Sequence, residues 1–123
     1  MAKPKLKKAD KERSIMAFVH VPLTYNDDSV VPQQVLDDIK DQIYLAFDGY
    51  TVEGTVNGAY KMRSTGQKRV EDTLKISIAL KAGGTKRLET MASEWASELG
   101  QESILVTYTD FVVVFVEPNN GEI

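Results

Sequence analysis

The chain has no cysteine and a single histidine, His20. Without thiols it carries no disulfide framework, no thiolate nucleophile and no thiolate metal site. One imidazole leaves a zinc site to be built almost wholly from carboxylates. No apolar run approaches the roughly 18 residues of a membrane span, and no secretory signal pattern is visible. The expectation is therefore a soluble cytoplasmic protein. The phosphate loop, Gly-x-Gly-x-x-Gly, His-Glu-x-x-His and the nucleophile elbow are all missing. Asp27-Asp28 and the set Asp37, Asp38 and Asp41 lack the ligand spacing and turn glycine of a calcium loop and read as solvated faces. No cofactor and no metal are expected.

What is present describes one ordinary globular domain. The 123 residues suffice to bury a core without staples, and 42% apolar with 27% charged residues is a common soluble balance. The net charge of −3 hides an asymmetry, because six cations against two anions give residues 1–13 a charge of +4 and leave −7 on the rest. Such a basic arm on an acidic body can touch nucleic acid or an anionic surface, or serve as a disordered solvated leader. The domain then runs over residues 14–118, with a frayed tail at 119–123.

Hydrophobic periodicity orders the body. From Ser14, the set Ile15, Ala17, Val19, Val21 and Leu23 alternates with Met16, Phe18, His20 and Pro22, the period of a strand. Pro32 suits the first turn of a helix, in which Val35, Leu36, Ile39, Ile43, Ala46 and Phe47 form one stripe before Asp48-Gly49 ends it. Tyr50 to Val56 reads as a second strand, and Asn57-Gly58 is the favoured pair for a tight hairpin turn. A polar segment from Ser64 to Arg69 interrupts the return strand, which resumes at Leu74, Ile76, Ile78 and Leu80. Thr85 is a good N-cap for a second helix with Leu88, Met91, Ala92, Trp95 and Leu99 on its apolar stripe, closed by Gly100. Met91 and Trp95 belong to the core. Ile104 to Thr107 and the unbroken run Phe111 to Val116 complete the fold, either as one bent strand or, the preferred reading, as a hairpin turning near Asp110.

The order β-α-β-β-α-β, possibly with an extra C-terminal strand, predicts an α+β fold of the ferredoxin-like split βαβ type. Two helices on one sheet face leave the other open. Met16 and Phe18 share that face with His20, and Phe111, Val113 and Phe115 join them from the last strand. An uncovered apolar face predicts a homodimer through it, with a ligand cleft as the second use.

The segment Trp95-Ala96-Ser97-Glu98-Leu99 followed by Gly100-Gln101-Glu102-Ser103-Ile104-Leu105-Val106 resembles an uncharacterised family of small bacterial proteins, a domain of unknown function with a Gln-Glu-Ser-apolar junction after the second helix. The resemblance implies a ferredoxin-like fold and no activity.

Three functional classes remain. The leading one is a non-enzymatic binding or assembly module acting as a homo-oligomer. The second is a small enzyme with a cleft on the open face at His20, Tyr25 and Glu102. There His20 would serve as a general base and Glu102, beyond a helix C-terminus, as a carboxyl with a raised pKa. The third is a polyanion or nucleic-acid binder using the arm and the loop 61–69, whose Lys61, Arg63, Lys68 and Arg69 are interleaved with Ser64, Thr65 and Gly66. Against each stands a plainer alternative: His20 in an interface, Glu102 in an exposed loop, and the four cations on a solvated loop tip.

Overall fold

A computed structural model of the chain describes residues 11–118, with side chains for all of them except 11–14 and 113. Its elements follow the order β1 (Lys11–Pro22), α1 (Gln33–Phe47), β2 (Thr51–Lys61), β3 (Lys68–Leu80), α2 (Gly84–Glu98) and β4 (Val106–Val114). Four antiparallel strands in the order β2-β3-β1-β4 form one sheet, and with the two helices they make an α+β fold. No helix among the described residues is long and apolar enough to cross a membrane.

The alternation in β1 sorts its side chains as the period predicts. Ala17, Val19 and Val21 are fully buried with Ile76, Ile78 and Leu80 of β3, under Leu36, Ile39 and Ile43 of α1 and Leu88, Ala92 and Trp95 of α2. Met16, Phe18 and His20 point the other way and are half-buried. The indole N–H of Trp95 donates to Gln42 Oε1 at 2.8 Å, which ties the two helices over the sheet.

Several boundaries differ from the sequence-based expectation, each for a backbone reason. β1 opens at Lys11 rather than Ser14, because the backbone of residues 11–13 is laddered to Val114, Val113 and Val112. A ladder needs only amides and carbonyls, so the basic composition of that stretch does not prevent it. The rest of the expected arm, 1–10, and the expected tail, 119–123, lie outside the described residues. The turn between β2 and β3 is at Met62–Gln67 and not at Asn57-Gly58. Asn57 and Gly58 pair across the sheet with Asp72 and Glu71, and the Asn57 amide donates to Asp72 Oδ1 at 2.9 Å. The left-handed residue that closes the hairpin is Gly66, at φ +71, whose N–H donates to Met62 O at 2.8 Å. α2 starts at Gly84 behind a left-handed Gly83, so Thr85 lies in the first turn and caps nothing. Finally, the hairpin expected near Asp110 is one continuous strand, in which Asp110 pairs with Ile15 and Thr109 with Met16.

One irregularity in β2 shapes the open face. The register with β3 slips between Val52 and Gly54, and Gly54 takes φ +124, a region that side chains bearing a Cβ rarely adopt. The bulge brings Glu53 over β3, where its Oε2 accepts from the Ser77 hydroxyl at 2.9 Å. A methyl at Gly54 would meet no atom within 4 Å, so the cost of Gly54→Ala is backbone strain alone. We expect a loss of about 1–3 kcal/mol in urea unfolding, with m unchanged. A variant as stable as the wild type would mean that the bulge is absent in solution.

Candidate active site

The face without helices is not the apolar surface that the pattern of β1 suggested. Along β3, every second residue from Arg69 to Ser77 projects onto it, and Glu71, Thr73 and Ser77 are buried there as polar groups. A cleft of about 670 Å³ lies over this stripe, lined by His20 and Pro22 of β1, Val56 to Gly58 and Tyr60 of β2, Arg63 of the turn, Glu71, Thr73 and Lys75 of β3, and the segment Ser103 to Val106. Smaller hollows lie elsewhere, two of them notable. One, of about 430 Å³, is between Met16, Tyr50, Ala79 and Phe115, and the other, of about 360 Å³, is between α2 and β4.

Glu71 is the chemical centre of the cleft. It is only 9% exposed, and both carboxylate oxygens are engaged. The Tyr60 phenol donates to Oε1 at 2.7 Å, and Arg69 Nε approaches Oε2 at 3.4 Å. Cross-strand pairing explains the geometry, because Gly58 faces Glu71 and Tyr60 faces Arg69 in the β2–β3 register. With no side chain at Gly58, Tyr60 can reach diagonally to the carboxylate. Arg69 is itself pinned from behind, donating to Tyr25 O at 3.1 Å and lying 3.9 Å from Asp28 Oδ1. A buried carboxylate so held has one rotamer and a guanidinium to offset its desolvation. Burial, followed by the bond to Glu71, pushes the Tyr60 phenol up to about 12, so it remains a donor at neutral pH.

His20 sits on the adjacent strand, with Nδ1 3.4 Å from the Thr73 hydroxyl. Burial and then the Lys75 ammonium hold its pKa below the usual imidazole value, so the ring is neutral at pH 7. The Lys75 ammonium lies 4.6 Å from the centre of the Phe18 ring, a cation–π contact. The site therefore offers one fixed carboxylate, one ammonium, a neutral imidazole and a phenol around an apolar rim of Val56, Ile104 and Leu105. No group of three His, Asp or Glu among the described residues is arranged to hold a metal ion.

The expected site residues scatter. His20 lines the cleft. The Tyr25 backbone supports Arg69 from behind. Glu102 is not placed as an acid: its oxygens accept from the backbone N–H groups of Arg63 at 3.0 Å and Ser64 at 2.9 Å. Hydrogen bonding from Ser64, side chain first, and from the Arg63 N–H holds its carboxyl below the usual range, the opposite of the expected upward shift. The four cations of the loop do not form one surface either. Arg69 is held against Glu71 and the Tyr25 carbonyl, Arg63 lines the cleft, and Lys61 faces Lys68 at the end of the hairpin. Among the expected interface residues, Met16, Phe18 and Phe111 are half-buried and Phe115 is 71% exposed, while the Val113 side chain lies outside the description. Tyr60, Glu71 and Thr73 were absent from the sequence-based set.

No family model and no curated protein matches the chain. Two solved structures share its fold. A phage SAM lyase in complex with S-methyl-5'-thioadenosine superposes with a TM-score of 0.61 at 15% identity, covering 94% of this chain and 97% of that one. A phage SAM lyase in the apo state gives 0.56 at 16% identity, covering 95% and 100%. The expectation of a non-enzymatic binding or assembly module is corrected by these findings, because both similar structures are of an enzyme.

Proposed function

We propose that the chain is a lyase for S-adenosylmethionine, releasing S-methyl-5'-thioadenosine from the cleft over β3. The observation that carries the reading is Glu71, a buried carboxylate fixed by Tyr60 and Arg69 in a cleft of about 670 Å³, on a fold shared with a lyase over nearly the whole chain.

The chemistry fits such a site because it asks for little beyond placement. The sulfonium leaves as a neutral thioether, so no acid is required. A lyase uses no water, so the bonding electrons come from the substrate itself. The carboxylate oxygen closes on Cγ of the amino-acid arm, the Cγ–S bond breaks with both electrons going to sulfur, and the other product is homoserine lactone. The sulfonium and the carboxylate lose their charges along this path, while the ammonium keeps its own. A fixed anion beside the sulfonium would stabilise the ground state and slow the reaction. Glu71 is thus assigned to the ammonium, holding the arm folded so that oxygen and Cγ meet. The apolar rim and the neutral His20 leave the departing thioether uncontested.

The ferredoxin-like arrangement belongs to the same reading, supported by the β-α-β-β-α-β order and the antiparallel strand order β2-β3-β1-β4. Self-association through Met16, Phe18, Phe111 and Phe115 is compatible with it, since none of these residues lines the cleft; the exposure of Phe115 supports it.

The test is incubation of the purified chain with S-adenosylmethionine and mass spectrometry of the products. Methylthioadenosine together with homoserine lactone is expected. Absence of both, with no thermal stabilisation by added methylthioadenosine, would sink the proposal.

A further inference from the structure

The two walls of the cleft are tied at its mouth. One wall is the β2–β3 hairpin, and the other is the segment joining α2 to β4, whose Ser103 to Val106 line the cleft. Glu102 reaches from the second to the first and accepts from two successive backbone N–H groups, Arg63 and Ser64. Consecutive amides converging on one carboxylate make a rigid, directional anchor for a turn that has little else to hold it. The turn's own backbone bonds, Gly66 N–H to Met62 O and Met62 N–H to Gln67 O, keep it closed without attaching it to the body. The anchored residue Arg63 is also the one turn residue that lines the cleft.

We infer that Glu102 clasps the hairpin turn across the cleft mouth, so that Arg63 binds the α-carboxylate of the substrate and makes the site specific for the intact amino-acid arm. The inference rests on the lyase reading of the cleft. The other cations are placed less well for this task. Arg69 is engaged with Glu71, the Tyr25 carbonyl and Asp28. His20 is neutral at pH 7, and Lys75 is drawn to the Phe18 ring on the sheet side of the cleft. Arg63 lines the cleft from the hairpin turn and Glu71 from β3, so a substrate between them can give its carboxylate to one and its ammonium to the other. This placement suits the reaction, because a carboxylate locked in a buried bidentate pair would be a poor nucleophile. One oxygen on Arg63 leaves the other free to close on Cγ.

Arg63→Ala and Glu102→Ala test this with two ligands. Methylthioadenosine lacks the amino-acid arm, so its affinity depends on the cleft and not on Arg63. Arg63→Ala is expected to raise KM for S-adenosylmethionine about tenfold, the usual effect of losing a charge-assisted hydrogen bond, with kcat undiminished and Kd for methylthioadenosine within about twofold. Glu102→Ala is expected to reproduce that split and, in addition, to speed amide exchange at Arg63 and Ser64. Glu102→Gln keeps the size and one acceptor oxygen and should fall between. Equal losses for both ligands, an unchanged KM, or the arm-specific defect appearing in Lys75→Ala instead would overturn the assignment. If the wild type neither cleaves S-adenosylmethionine nor binds methylthioadenosine, the lyase reading fails and the carboxylate role with it. The clasp is then decided by exchange alone, and unchanged protection at Arg63 and Ser64 in Glu102→Ala refutes it.

Discussion

Glu71→Gln is expected to leave a folded protein that cleaves S-adenosylmethionine about 10²–10³-fold more slowly than the wild type. The size follows from what the carboxylate does. In the proposed lyase it holds the substrate ammonium, and misplacing the arm by about 1 Å is enough to cost two orders of magnitude. The amide keeps an oxygen for the Tyr60 phenol and nearly the same volume, so the β2–β3 pairing survives. It does remove the partner of Arg69, whose remaining contacts are the Tyr25 carbonyl and Asp28. A modest fall in Tm is therefore part of the expectation, and activity is compared well below the transition. Tyr60→Phe separates the roles. The phenol fixes the rotamer of Glu71 without touching its charge, so the loss should be smaller, about tenfold. Because the phenol is pushed up to about 12, any alkaline limb of the activity profile below pH 10 belongs to another group and should be unchanged in Tyr60→Phe. Glu71→Gln with more than a tenth of the wild-type rate would show that the carboxylate is structural.

The same residues show how far the sequence was legible. The strand and helix identities came from side-chain periodicity, which is strong wherever one face is buried: Ala17, Val19 and Val21 in β1, or Leu88, Ala92 and Trp95 in α2. Element ends were less legible because they depend on backbone pairing. Lys11 to Arg13 looked like arm because their composition is basic, yet the ladder to β4 continues through them. Asn57-Gly58 looked like a turn because it forms one readily, but β2 and β3 pair on through it to Lys61 and Lys68.

That misplaced turn hid the site. With the hairpin closed at Asn57, residues 64–69 became a polar interruption and Glu71 and Thr73 fell into a gap before the recognisable strand at Leu74. Tyr60 became the start of a return strand and not the end of an outgoing one. The signal was there in period two, since Arg69, Glu71, Thr73, Lys75 and Ser77 alternate in phase with Leu74, Ile76, Ile78 and Leu80. A polar residue at every second place, opposite a fully apolar face, marks either solvent or a cleft, and Glu71 at 9% exposure decides for the cleft. The bond from Glu102 to the turn had no sequence signal at all, because its partners are backbone N–H groups 38 and 39 residues away.

Trp95→Ala is expected to cost about 3–5 kcal/mol, the range for removing a large aromatic from a core. The indole is wholly buried at the centre of the cluster formed by both helices and by β1 and β3. Its cost comes from the cavity and the lost apolar burial and not from its hydrogen bond. The partner of its N–H, Gln42, is exposed and turns to water when the indole is gone, so no buried polar group is orphaned. Gln42→Ala should accordingly cost no more than about 1 kcal/mol, while Trp95→Phe, which keeps most of the ring, should fall between the two. Domains of this size have about 5–15 kcal/mol in total, so Trp95→Ala consumes a large share and should lower Tm by about 15 °C or more. The cleft lies on the opposite face of the sheet, and at temperatures where the variant is folded it should still bind methylthioadenosine with near wild-type affinity. Thermal and urea melts measure the first claim, and titration below the transition measures the second. A fall in Tm under about 5 °C would mean that α2 does not seal the core in solution, and lost binding in a folded variant would mean that the two faces of the sheet are coupled.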